Sequence, residues 1–173
     1  MAARRKHQWL LLAVVLILAA FTGRYAIKVH SLHAFESDTR HQVPVYAAAL
    51  QQTLQQASAQ DALPTAQSGQ AAIYPLSAGI AGLSAEDRAA LEQAVAAQAL
   101  GYRMVLPDYD EWMDTGDGSC YDFTVYLSYY TNHNLFNEIR ISALIEGGSV
   151  PWKAQLYFRH TRHGWQLTRT HLL

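Results

Sequence analysis

The chain has 173 residues, half of them hydrophobic, and a formal net charge of −1. That balance hides a division: all fourteen acids lie after residue 34, against eight Lys or Arg there, so the 139 residues beyond Ala34 carry −6. Such a segment has apolar content for one core, which excludes intrinsic disorder as its default, and it lacks the basic face that phosphate neutralisation needs, which excludes nucleic acid as a partner.

The chain begins with a basic cluster, Arg4-Arg5-Lys6-His7, and an apolar run, Trp9–Gly23. Fifteen residues rise only about 22 Å as a helix, short of a hydrocarbon core of about 30 Å. Arg24 and Lys28 have stems long enough to snorkel, so the expected span extends over Trp9–Ile27. Trp9 and Tyr25 then fall at the two interfaces, and Trp9, Leu12, Val15, Leu18 and Phe21 serve as membrane anchor residues. A cleaved secretory signal is the competing reading, but the small-residue cleavage pattern is missing after the run, so an uncleaved anchor is expected. Three cations precede the span and two follow it, which keeps residues 1–8 cytoplasmic as a basic tail. The expected location is a bacterial inner membrane, crossed once, with the C-terminal domain in the periplasm.

Residues 28–83 are expected to hold a stalk, an amphipathic helix and a linker. Ile27, Leu32 and Phe35 lie loosely on one side of a stalk, and Pro44 is placed at the start of a new helix that runs to about Ser58. Tyr46, Leu50, Leu54 and Ala57 form its apolar stripe, to be buried on a sheet or on a partner. Residues 59–82 mix Ala, Gly, Ser, Gln and two prolines without periodicity and read as a loop or linker.

Residues 84–173 are expected to form the folded extracytoplasmic domain. Ser84 is an N-cap with Glu86 and Asp87 in the first turn, Leu91, Ala94 and Val95 mark a buried stripe, and Gly101 closes the helix Ser84–Leu100. From Tyr102 the period changes to two. A short strand, Tyr102–Leu106, stops at Pro107 and leads into an acidic loop, Asp108–Asp117. Tyr121, Phe123, Val125, Leu127 and Tyr129 then alternate with polar neighbours, as do Ile139–Ile145 and Trp152–Phe158, joined at Gly147-Gly148. Arg162-His163-Gly164 turns into a last strand, Trp165–Leu172.

The fold class is therefore α+β: helices covering a curved antiparallel meander, with the Ser84–Leu100 helix as the available lid. This element order, over residues 84–173, resembles the cystatin-like and nuclear-transport-factor-like cone folds, which include periplasmic domains of single-span inner-membrane scaffold proteins of secretion systems. The resemblance is one of topology, and topology does not fix function.

Motifs for chemistry are absent. His160, His163 and His171 approach one another in the hairpin without the spacing of a metal site. The acidic loop fails the calcium pattern, because Trp112 stands at its fifth position and no bidentate Glu follows. His133 and Asp122 form the one acid/base pair that a cone pocket could orient, and no nucleophile-elbow, zincin or phosphate-loop motif is present. The lone Cys120 has no partner for an intramolecular disulfide and is expected to be buried. No catalytic residue, metal or cofactor is assigned.

The expected role is protein binding, as a scaffold, assembly factor or accessory subunit of an envelope or secretion complex, with membrane or periplasmic proteins as partners and the bilayer held by the N-terminal helix. Tyr126 and Tyr130 fall opposite the apolar face by parity, and Arg159 and Arg162 form a basic end; these four are the candidate partner-binding residues. Two alternatives stand beside this one: a small-molecule- or peptide-binding cone domain, possibly catalytic, and an immunity or inhibitor protein.

Overall fold

The computed structural model of the chain describes residues 2–65, 67, 69–75, 84–96, 102–106, 121–131, 137–147 and 151–173. The acidic loop 108–117, Cys120, His133, Gly101 and Gly148 lie outside the described residues. In chain order the elements are α1 (Ala2–Ser37), α2 (Thr39–Ala59), β1 (Gln70–Pro75), α3 (Ala85–Ala96), β2 (Arg103–Val105), β3 (Phe123–Thr131), β4 (Glu138–Glu146), β5 (Trp152–Thr161) and β6 (Gly164–Leu172).

Helix α1 runs without a break from the basic cluster through the apolar run and ends at Ser37. It is long and apolar enough over Gln8–Ser37 to cross a membrane. Asp38 stops it, with extended backbone angles (φ −136°, ψ 112°), and caps α2 by accepting from the Arg40 amide at 2.9 Å. The carbonyls left open at the end of α1 are met from α2: Gln42 Nε2 donates to Phe35 O at 2.8 Å and to Glu36 O at 3.3 Å. The sequence placed the start of this helix at Pro44, but Pro44 lies inside it. Proline has no amide hydrogen to donate to the Arg40 carbonyl, and Arg40 lies at an exposed position. A strong cap at Asp38 outweighs that loss.

The sheet has six strands in the order β2-β1-β3-β4-β5-β6. Strands β3 to β6 form the expected antiparallel meander, and β1 lies parallel to both β2 and β3. The sheet is thus mixed, and residues 70–75, read from sequence as linker, supply an inner strand. Ala71 and Ala72 are both fully buried. A parallel strand covered on both faces shows no alternation, so nothing in its pattern separates it from a small-residue loop. Asp122 fastens it: its carboxylate accepts from the amides of Gln67 (3.0 Å) and Gly69 (2.8 Å), and its own amide donates to Gln70 O at 2.8 Å.

The inner face of the sheet is Val125, Leu127, Ile139, Ile141, Ala143, Ile145, Trp152, Ala154, Leu156 and Phe158, all buried. The lid over β4 to β6 is α2, which corrects the expectation that Ser84–Leu100 covers the sheet. Tyr46, Leu50, Leu54 and Ala57, the stripe read from sequence, are exposed by 1 % or less. Trp152 Nε1 donates to Gln60 Oε1 at 2.8 Å and pins the far end of α2 to β5. The shorter α3 packs instead on α2 and β2, burying Leu91. Ser84 caps it as expected, accepting from the Asp87 amide at 3.1 Å and donating to the Asp87 carboxylate at 2.8 Å. Residues 28–83 therefore contribute a helix and a strand to the same core as β3 to β6.

The turn glycine at the end of β4 has a steric reason. Gly147 has φ +130°, and a Cβ there would stand 2.6 Å from Asp122 O and 2.8 Å from Phe123 Cα. Only glycine fits between β4 and the start of β3.

Candidate interaction face

Strand parity puts Tyr126, Ser128 and Tyr130 of β3 on the face away from α2, and register carries that face across the meander. Tyr130 pairs with Arg140, Arg140 with Tyr157, and Tyr157 with Arg169. Four strands thus contribute one row of alternating aromatic and guanidinium groups. The Arg140 guanidinium lies 4.8 Å from the Tyr130 ring centre and the Arg169 guanidinium 3.8 Å from that of Tyr157. Stacking of this kind holds flexible arginines in place and keeps both ring and cation available at the surface.

Beneath the row sits one carboxylate. Glu138 is 3 % exposed and lies 3.5 Å from Arg159 and 3.4 Å from Arg169. A carboxylate withdrawn from water requires such partners, and it orients both arginines in turn. Lys153 and Gln155 of β5 and His171 of β6 lie on the same face by parity and register.

Of the residues singled out from sequence, Tyr126, Tyr130 and Arg159 share this outer face. Tyr126 is half-buried and Tyr130 is 47 % exposed, the most open large aromatic among the described residues of the sheet. Arg162 is apart from them, at the end of the sheet in the turn between β5 and β6, where its Nε donates to His163 Nε2 at 2.9 Å. Sequence reasoning missed Arg140, Tyr157, Arg169 and Glu138. Parity alone would have put Arg140 and Tyr157 on the polar face; their alignment with Tyr130 depends on register.

Comparison of the chain with family models, curated proteins and solved structures gives no match. The face therefore has to be read from its own chemistry.

The histidines considered for a metal are dispersed. His160 lies on the inner side of β5 against Trp165 (ring centres 5.1 Å apart), while His171 pairs with Gln155 on the outer side. Among the described residues no three His, Cys, Asp or Glu side chains are grouped to hold a metal ion. Burial first, then the nearby His41 and His30, push the pKa of His160 below the ordinary value. Asp122, the proposed partner of His133, spends both carboxylate oxygens on backbone amides of the β1 approach.

The N-terminal run stands clear of the domain. Trp9, Leu12, Val15, Leu18 and Phe21 are each more than half exposed. Burial on α1 begins only at Lys28, which is half-buried, and continues through Ser31 and Phe35. Phe35 is packed among Tyr46, Tyr129 and Trp165, and Tyr129 donates to Glu36 Oε1 at 2.7 Å. The last two turns of α1 are thus part of the folded domain and not a free stalk.

Proposed function

We propose that this chain is a single-span protein of a bacterial inner membrane, uncleaved, whose α+β domain faces the periplasm and binds other proteins as a scaffold or accessory subunit of an envelope complex. The observation that carries this reading is the Tyr130–Arg140–Tyr157–Arg169 row. Exposed tyrosine and arginine are the residue types that contribute most at protein contacts, and here they are held in fixed positions on a sheet while the opposite face is occupied by α2. The exposed apolar run of α1 supports the anchor, since such a surface needs lipid or protein around it. Anchoring then raises the effective concentration of the domain for partners in the same membrane.

The test compares partners recovered with the tagged full-length chain and with a Tyr126→Ala/Tyr130→Ala variant, both from gently solubilised membranes. The reading predicts a stoichiometric partner that the variant loses while its thermal unfolding remains close to wild type. Equal recovery by both chains would remove this face as the contact surface. Arg159 is unsuited to charge reversal, because an acid there would stand beside Glu138 and disturb the fold itself.

A further inference from the structure

We infer that the partner of the outer face is an acidic protein segment, that Arg140 is the residue that takes its carboxylate, and that Arg169 is the second anchor. The inference rests on the protein-binding reading above and deepens it, by naming the chemistry of the partner and the residue that selects it.

Arg140 is half-buried on β4, with Tyr130 of β3 paired to it on one side and Tyr157 of β5 on the other. A guanidinium offers five N–H donors and no acceptor, and a donor withdrawn from water without a partner is costly. The donors of Arg140 are unspent. Among the described residues nothing accepts from them, and its Nε is buried with no hydrogen-bond partner. What holds the group is the ring of Tyr130, whose centre lies 4.8 Å from the guanidinium carbon. Stacking on a ring fixes the plane of a guanidinium and leaves its edge for acceptors. Two residues back along the same side of β4, Glu138 provides such an acceptor, meeting Arg159 at 3.5 Å and Arg169 at 3.4 Å. Among the described residues Arg140 has no acid of this kind, so the acid that completes it comes from outside.

Charge sets the sign of the partner. Along β3 to β6 the outer face carries Arg140, Lys153, Arg159 and Arg169 against two acids, Glu138 and, at the far end of β4, Glu146. The chain beyond Ala34 is nevertheless −6 as a whole. An acidic partner is therefore attracted at this face and repelled by the net charge of the rest, which orients it. A carboxylate accepts two parallel N–H bonds from one guanidinium, a pairing that lysine does not offer. Adjacent strands lie about 4.8 Å apart, so Arg140 and Arg169, two strands apart in one row, are separated by about 10 Å. Acids three residues apart in an extended segment span the same distance at about 3.3 Å per residue. Tyr130, 47 % exposed, supplies apolar contact beside them.

The experiment uses the full-length chain in phosphatidylcholine nanodiscs and short fluorescein-labelled peptides of Ala and Ser with Glu, Gln or phosphoserine at every third position, binding being read by fluorescence anisotropy. The expected result is saturable binding of the Glu peptide and none of the Gln peptide. Arg140→Gln weakens it by at least about tenfold, because a charge-assisted pair is lost, and Arg140→Lys by less, because the charge remains without the fork. Arg40→Gln, which removes the same charge on the exposed side of α2, leaves binding unchanged. Both Arg140 variants unfold close to the wild-type temperature, since Arg140 makes no hydrogen bond among the described residues. Failure of the Glu peptide to bind would overturn the inference, as would equal binding of the Glu and Gln peptides, equal losses in Arg40→Gln and Arg140→Gln, or binding of the phosphoserine peptide alone. A benzophenone amino acid at Tyr130 in cells separates this inference from the reading beneath it. A protein crosslinked there while the Glu peptide stays unbound rejects the acidic partner alone; no crosslinked protein rejects the face and this inference with it.

Discussion

His160 shows how a single side chain senses its surroundings where three elements meet. It sits on β5 against Trp165, with His41 of α2 and His30 of α1 nearby, and burial and these two neighbours lower its pKa from the ordinary 6.5. The folded protein thus binds this proton less readily than the unfolded chain does. Stability linked to His160 is complete above about pH 6.5 and is lost as pH falls toward the folded value, because the unfolded state takes up more protons in that window. We expect the midpoint of thermal unfolding to fall between pH 7 and pH 5 in the full-length protein, and His160→Gln to reduce that slope. Identical slopes in the two proteins would show that His160 is not a contributor. Asp38 follows the same sign at lower pH: Arg40, donating to its carboxylate, holds its pKa at about 2, so the α2 cap stays ionised between pH 7 and pH 5 and adds nothing to that slope.

At the scale of elements, α2 is the piece on which the domain depends. Nine of its residues are buried, it closes the inner face of β4 to β6, and Gln42 at its start completes the end of α1. Replacing Leu50, which is fully buried, with alanine should cost about 2–5 kcal/mol through lost apolar burial and the cavity left behind. Denaturant unfolding monitored by circular dichroism checks this, and a loss below about 1 kcal/mol would mean that α2 is not part of the cooperative core. Most of this element was legible in sequence: the Tyr46, Leu50, Leu54 and Ala57 stripe is the face that is buried. Its start was misplaced because Pro44 is a stronger signal on paper than Asp38, although the Asp38 cap decides the boundary. Strands β3 to β5 were legible for the same reason as the stripe, each showing one face of alternating apolar residues, and β6 from the Arg162-His163-Gly164 turn that precedes it. Strand β1 was not, since Ala71 and Ala72 are buried on both sides and carry no period. The lid was assigned to α3 because its cap was the clearest helix signal, but cap strength says nothing about where a helix packs.

At the scale of the molecule, the chain combines an apolar helix left bare and a sheet whose inner face is filled and whose outer face is lined with tyrosine and arginine. Tyr126 and Tyr130 were found from parity within β3. The row to which Tyr130 belongs required the register of four strands, which no pattern within a single strand reveals. The separation of Arg162 from the Tyr130 face likewise follows from the hairpin: its tip lies beyond the last paired residues, Thr161 and Gly164. The two basic positions proposed together from sequence, Arg159 and Arg162, thus lie on different parts of the sheet, one on its outer face and one at its end.

The most direct test of protein binding through the outer face is photo-crosslinking in intact cells, with a benzophenone amino acid placed at Tyr130 in the full-length chain and, for comparison, at Arg40 on the exposed side of α2. The account predicts a discrete crosslinked protein at position 130 that is absent at position 40. Crosslinks of the same kind at both positions, or none at 130 in cells that contain the folded and inserted protein, would contradict it.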